Sequence, residues 1–137
     1  MIAVDTNVLV RLLVADHPKQ TRAVRSLFGT ETIWIAKTVL LEAAWVLRSV
    51  YGFDESAISD AFGKLLGLRN VHAEDQQCVA AALALTSHGI EFADALHLSS
   101  RPLGAAFVSL DRPFIRRAIR AGATDVTDVP RASEPRP

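Results

Sequence analysis

Apolar positions along the chain follow two rhythms. Ile2-Ala3-Val4, Thr32-Ile33-Trp34-Ile35 and Ala105 to Leu110 are short runs bounded by polar residues. Such runs read as strands, the first and third fully buried. Between them, apolar residues recur at helical spacing. Val8, Leu9, Leu12 and Leu13 form one stripe, and Ala23, Val24, Leu27 and Phe28 another, on a helix from Lys19 that Gly29 should close. Thr38 is placed to cap a helix reaching about Val50, with Gly52 just beyond it. That helix is apolar nearly all round, so most of it is expected to be buried. Asp54 and Ser56 open the next helix, and Gly67 ends it. A clear helix is expected over 73–87, closed by His88-Gly89, and another from Glu91 that Pro102 stops. Asp111 followed by Arg112-Pro113 is a helix start, with Gly122 past the end. Asn70-Val71-His72 and Asp125-Val126-Thr127 suit brief strands.

Strands interleaved with helices predict an α/β fold on a parallel sheet, with right-handed crossovers placing helices on both faces. One domain is expected over 1–129. The stretch 130–137 holds three prolines, two arginines and no core residue, and is expected to be a flexible tail.

Composition narrows the classes. Half of the 137 residues are apolar, which excludes a disordered chain. Fifteen basic residues balance fifteen acids, so distribution matters more than net charge. From Arg101 to Arg120 the chain carries arginines at 101, 112, 116, 117 and 120 against one acid, Asp111. That segment suits a polyanion, though a solvated helix face is the plainer account. Cys78 is the only cysteine, so no intramolecular disulfide or cysteine-based zinc site is available. No stretch is apolar enough to span a bilayer, no basic region precedes the first apolar run, and a cytoplasmic protein without a membrane partner is expected.

Four acids stand at or near the ends of apolar elements: Asp5, Glu42, Asp94 and Asp111. Each invites a bland explanation. Asp5 and Asp111 suit helix caps, and Asp94 a first-turn position. Glu42 stands four residues after Thr38, where a capping box needs three. Arg48 and Lys37 could pair with it, but neither lies three or four residues away. Asp5 and Asp111 also end strands in the same manner. If those strands are neighbours, with the first mid-sheet, their carboxyl ends meet where a doubly wound sheet opens its crevice. The site hangs on that adjacency. Gathered carboxylates repel one another, and a hard divalent cation relieves the repulsion. Oxygen-only ligands point to Mg²⁺ or Mn²⁺ rather than Zn²⁺, and to phosphodiester hydrolysis.

Four segments together resemble the PIN-domain family, and within it the VapC-type toxin ribonucleases. They are Val4-Asp5-Thr6-Asn7-Val8-Leu9-Val10-Arg11, Leu41-Glu42-Ala43, Phe92-Ala93-Asp94-Ala95-Leu96-His97-Leu98 and Val108-Ser109-Leu110-Asp111-Arg112-Pro113-Phe114. They span almost the whole chain in the family's order. The resemblance implies a three-layer α/β/α fold with strand order 3-2-1-4-5. It implies Asp5, Glu42, Asp94 and Asp111 as a catalytic and metal-binding quartet. Thr6 and Ser109 would orient the carboxylates, while Asn7 is typical of these toxins. Arg11 would orient substrate phosphate or brace the fold. Arg112 and the arginines after it would position RNA. Arg112, Pro113 and Phe114 stand where some members add an acid, so no fifth ligand is visible.

The activity implied is that of a Mg²⁺- or Mn²⁺-dependent endoribonuclease leaving a 5′ phosphate and a 3′ hydroxyl. The implied partners are RNA, a cognate antitoxin protein and a second copy of the chain. Trp45, Val46 and Val50 are candidate contacts, as are apolar residues of the 73–87 helix. Two other readings are a protein-binding module without turnover and a haloacid-dehalogenase-like phosphatase. The latter needs an acid two residues after the first, where this chain has Asn7.

Overall fold

A computed structural model describes residues 1–130. The expected tail lies almost wholly outside them. In chain order the elements are β1 (Ile2–Ala3), α1 (Thr6–Leu13), α2 (Pro18–Thr30), β2 (Ile33–Ile35), α3 (Lys37–Ser49) and α4 (Glu55–Leu66). There follow β3 (Val71–Ala73), α5 (Gln76–Thr86), α6 (Phe92–Ser99), β4 (Phe107–Ser109), α7 (Arg112–Arg120) and β5 (Val126–Asp128). Parallel strands with interleaved helices agree with the α/β/α architecture expected.

The strands form two parallel ladders. One has the order β1-β2-β3, the other pairs β4 with β5. Ile2 stands opposite Ile33, and Ile33 opposite Val71. In the second ladder Phe107 pairs Val126 and Ser109 pairs Asp128. These are the 3-2-1 and 4-5 halves of the expected order. Among the described residues no ladder joins β1 to β4. The first strand therefore ends its sheet instead of lying mid-sheet. It is also less buried than its apolar run implied: Ile2 is half-buried and Ala3 exposed. The covered strand is β2, whose Ile33 and Ile35 are both fully buried.

Helix packing builds the core. Leu9 of α1, Leu40 and Leu47 of α3, Ile58 and Phe62 of α4, Val79 of α5 and Phe92 of α6 are all fully buried. The Phe62 and Phe92 rings meet edge to face at 5.1 Å, which ties α4 to α6. A second edge-to-face pair, Phe107 and Phe114 at 5.8 Å, fastens α7 to the β4–β5 ladder.

Several boundaries differ from expectation. Gly29 lies inside α2, which runs on to Thr30 and is capped at Glu31. Ala73 ends β3, and α5 begins only after Asp75, whose φ of 51° makes a left-handed turn. Thr38 lies inside α3, and the cap residue Ala36 has no side-chain bond to offer. The Lys37 N–H instead donates to Glu74 Oε1 at 2.9 Å, a cap supplied from the far side of the sequence. Nor is α3 covered on most sides. Leu40, Ala43, Ala44 and Leu47 face the core at spacings of three and four, while Trp45 is 61% exposed.

Candidate active site

Asp5 follows β1 directly and opens α1. Its backbone is extended, and Oδ1 accepts the Thr6 N–H at 2.8 Å. The capping role is thus real, yet the side chain stays exposed with its second oxygen available. Glu42 sits on the outer face of α3, exposed rather than buried, so no burial cost demands a partner there. Neither suggested partner reaches it. Arg48 is bound to Glu55 and Glu91, and Lys37 to Asp75 and Ser100. Glu42 makes no hydrogen bond or ion pair among the described residues. Asp5 and Glu42 line one cleft of 270 Å³ between α1 and α3.

Asp94 lies in the first turn of α6 and is partly buried. Burial, then the charges of Glu91 and Asp111, push its carboxyl above the ordinary aspartate value, against the opposing pull of His97 and Arg48. Asp111 is therefore within electrostatic reach of Asp94. Asp111 caps α7, its Oδ1 accepting the Phe114 N–H at 3.1 Å. Ser109 fixes this acid through the backbone: its Oγ accepts the Asp111 N–H at 3.0 Å.

The remaining expected residues divide by partner. Thr6 is 6% exposed, and its hydroxyl is the one buried side-chain polar atom without a partner among the described residues. Asn7 is exposed beside it on the cleft. Arg11 donates to Asp16 at 2.8 Å, which braces the turn between α1 and α2. Arg112 donates from Nε to Asp128 at 3.3 Å, across the start of α7 and the end of β5. Arg101 is spent on the carbonyls of Ala105, Thr124 and Asp125, so it leaves the basic run.

A known family model, that of the PIN domain, matches residues 2–119. This chain belongs to the PIN-domain family. PIN domains are in general metal-dependent nucleases, hydrolases of phosphodiester bonds. A search of curated proteins gives no match. No helix of this PIN domain, among the described residues, is long and apolar enough to cross a membrane.

The acids fit a hard cation in chemistry: every donor is a carboxylate oxygen, and Asp94 carries repulsion that a cation would relieve. In spacing they form two associations, Asp5 with Glu42 and Asp94 with Asp111. Among the described residues no three His, Cys, Asp or Glu side chains gather closely enough to hold a metal ion. A cation here would bind one pair of carboxylates and complete its shell with water.

Sequence reasoning missed several groups around this PIN-domain site. Glu91 and His97 flank Asp94 at three residues on either side, a helical spacing that places them on its face. Glu55 accepts from Arg48 and from the Phe92 N–H, joining α3, α4 and α6. Val46 and Tyr51 wall the cleft beside Glu42. No local pattern distinguishes Tyr51 from an ordinary loop aromatic.

Proposed function

We propose that this PIN domain is a Mg²⁺- or Mn²⁺-dependent endoribonuclease and the toxin of a toxin–antitoxin pair. The observation that carries the nuclease reading is the pairing of unneutralised acids. Asp5 and Glu42 share a cleft, Glu42 with no cationic partner among the described residues, and Asp94 is raised by burial, Glu91 and Asp111. Asp5 with Glu42, and Asp94 with Asp111, would hold one or two cations, which when bound supply an activated water and charge stabilisation on the phosphate. Ser109 keeps Asp111 in place through its backbone N–H, whereas Asp5 is held by the backbone N–H of Thr6 and not by its hydroxyl. Arg116 and Arg120 would bear on the RNA backbone, since neither is bound to an acid among the described residues. Arg112 would reach the substrate only by leaving Asp128.

RNA as substrate, and the antitoxin, rest on the VapC-like segments noted above. A second copy of the chain would cover the exposed Trp45 and Val50 of the α3 face. One observation favours the other reading, a binding module without turnover: among the described residues no three acids converge.

Turnover separates the two. Purified protein is incubated with a mixture of cellular RNAs in Mn²⁺, in Mg²⁺ and in chelator, and the new ends are sequenced. Metal-dependent ends carrying a 5′ phosphate support the nuclease. Intact RNA in all three conditions, with retained binding to a partner protein, supports the module.

A further inference from the structure

We propose that the cleft between α1 and α3 is a subsite for a purine base of single-stranded RNA, next to the phosphate held at Asp5 and Glu42. It rests on the ribonuclease reading for its location, but its own chemistry is that of a base pocket. The volume, 270 Å³, is ample for a nucleobase together with some solvent. Its walls are apolar where a base face would lie: Val10 is buried, Val46 and Tyr51 are half-buried. Tyr51 supplies an aromatic ring, and unpaired RNA bases are held in this way, by stacking on aromatic side chains. The ring packs in part against the core, which fixes its orientation, and no hydrogen bond of the described residues engages its hydroxyl.

The polar lining is equally specific. The Thr6 hydroxyl is buried without a partner, a state that costs stability unless a ligand or water satisfies it. Asn7 presents a carboxamide with both a donor and an acceptor. That pair complements the N6 and N7 edge of adenine. Arg11 lines the same cleft but is held by Asp16, so the subsite has no free cation to turn it toward a phosphate. The two acids at its rim would likewise repel a phosphate in the absence of metal. A neutral heterocycle is the ligand that these walls accept.

The test is equilibrium binding in chelator, where no cleavage occurs, of fluorescently labelled pentaribonucleotides of A, U and C to the full chain. The expected result is an A5 affinity about tenfold above those of U5 and C5. Tyr51→Leu should abolish that preference, Tyr51→Phe should keep it, and Asn7→Ala should weaken A5 while leaving U5 unchanged. Thermal unfolding confirms that each variant is folded. Equal affinities for the three oligomers, or a preference that survives Tyr51→Leu, would overturn the proposal. Purine-selective binding by a protein that cuts no RNA in Mn²⁺ would keep the subsite and remove the nuclease. Cleavage without base preference would do the reverse.

Discussion

Asp94 is the acid whose surroundings say most. Its carboxyl is raised above 3.8 by burial, Glu91 and Asp111. Between the unfolded and the raised folded value, the folded chain binds more protons than the unfolded one. Stability therefore falls as pH rises through that window, and ionised Asp94 weakens the fold at neutral pH. Asp94→Asn should raise the melting temperature at pH 7, with the gain vanishing as pH drops below 3.8. Mn²⁺ should stabilise the parent protein more than this variant, because a ligand stabilises a state only as strongly as it binds it. Thermal scans against pH, with and without metal, check both points; a lower melting temperature for the variant at pH 7 would contradict them. Glu42 makes the complementary case. It is exposed and unpaired, so Glu42→Gln should shift unfolding free energy by less than ~0.5 kcal/mol in denaturant titration. Any loss of RNA cleavage in that variant then reports on chemistry and not on folding.

The helices carry the next set of consequences. On α7, Arg116 and Arg120 stand four residues apart on one face, about 6 Å along the axis. If both meet phosphates of a single strand, replacing both with alanine should weaken RNA binding for every sequence. It should also reduce the slope of log affinity against log salt by roughly 1.4. An unchanged slope would leave these arginines as a solvated face. Elsewhere, Glu55 holds Arg48 and the Phe92 N–H together, so Glu55→Ala should destabilise the fold by about 1–3 kcal/mol in chemical denaturation.

Helices were the readable part of the sequence. The Asp54 and Asp111 caps and the stops at Gly67 and Gly122 follow from local chemistry, and each was legible. The α3 start was not, because its free N–H is satisfied by Glu74, which no local window contains. The exposure of Glu42 was missed for a related reason. Apolar residues on both faces of α3 do not reveal which face the core covers, and Trp45 turned out to be on the open side. At the site, acid identities were legible from their positions at element ends. The cleft shared by Asp5, Glu42 and Tyr51 was not, since it depends on how α1 lies on α3.

Taken whole, the strands fall into two ladders, with a seam where no pairing joins them among the described residues. β1 and β4 each have one edge unpaired among these residues, and Val108 of β4 and Leu110 just after it are 48% and 79% exposed. Amides of β4 and β5 should consequently exchange with solvent faster than those of the covered strand β2, as hydrogen exchange resolved by segment will show. Equal protection across both ladders would mean that the seam is closed in solution. The seam matters for function because Asp5 and Asp111 stand on opposite sides of it. That Asp5 is a cation ligand is the claim on which the nuclease account depends. Asp5→Asn tests it most directly, since asparagine caps a helix as well as aspartate does but is a much poorer cation ligand. The rate of RNA cleavage in Mn²⁺ is measured for the parent chain and for this variant. The account predicts metal-dependent cleavage by the parent and a loss of at least ~100-fold in a variant of unchanged melting temperature. Undiminished cleavage by the folded variant would contradict it.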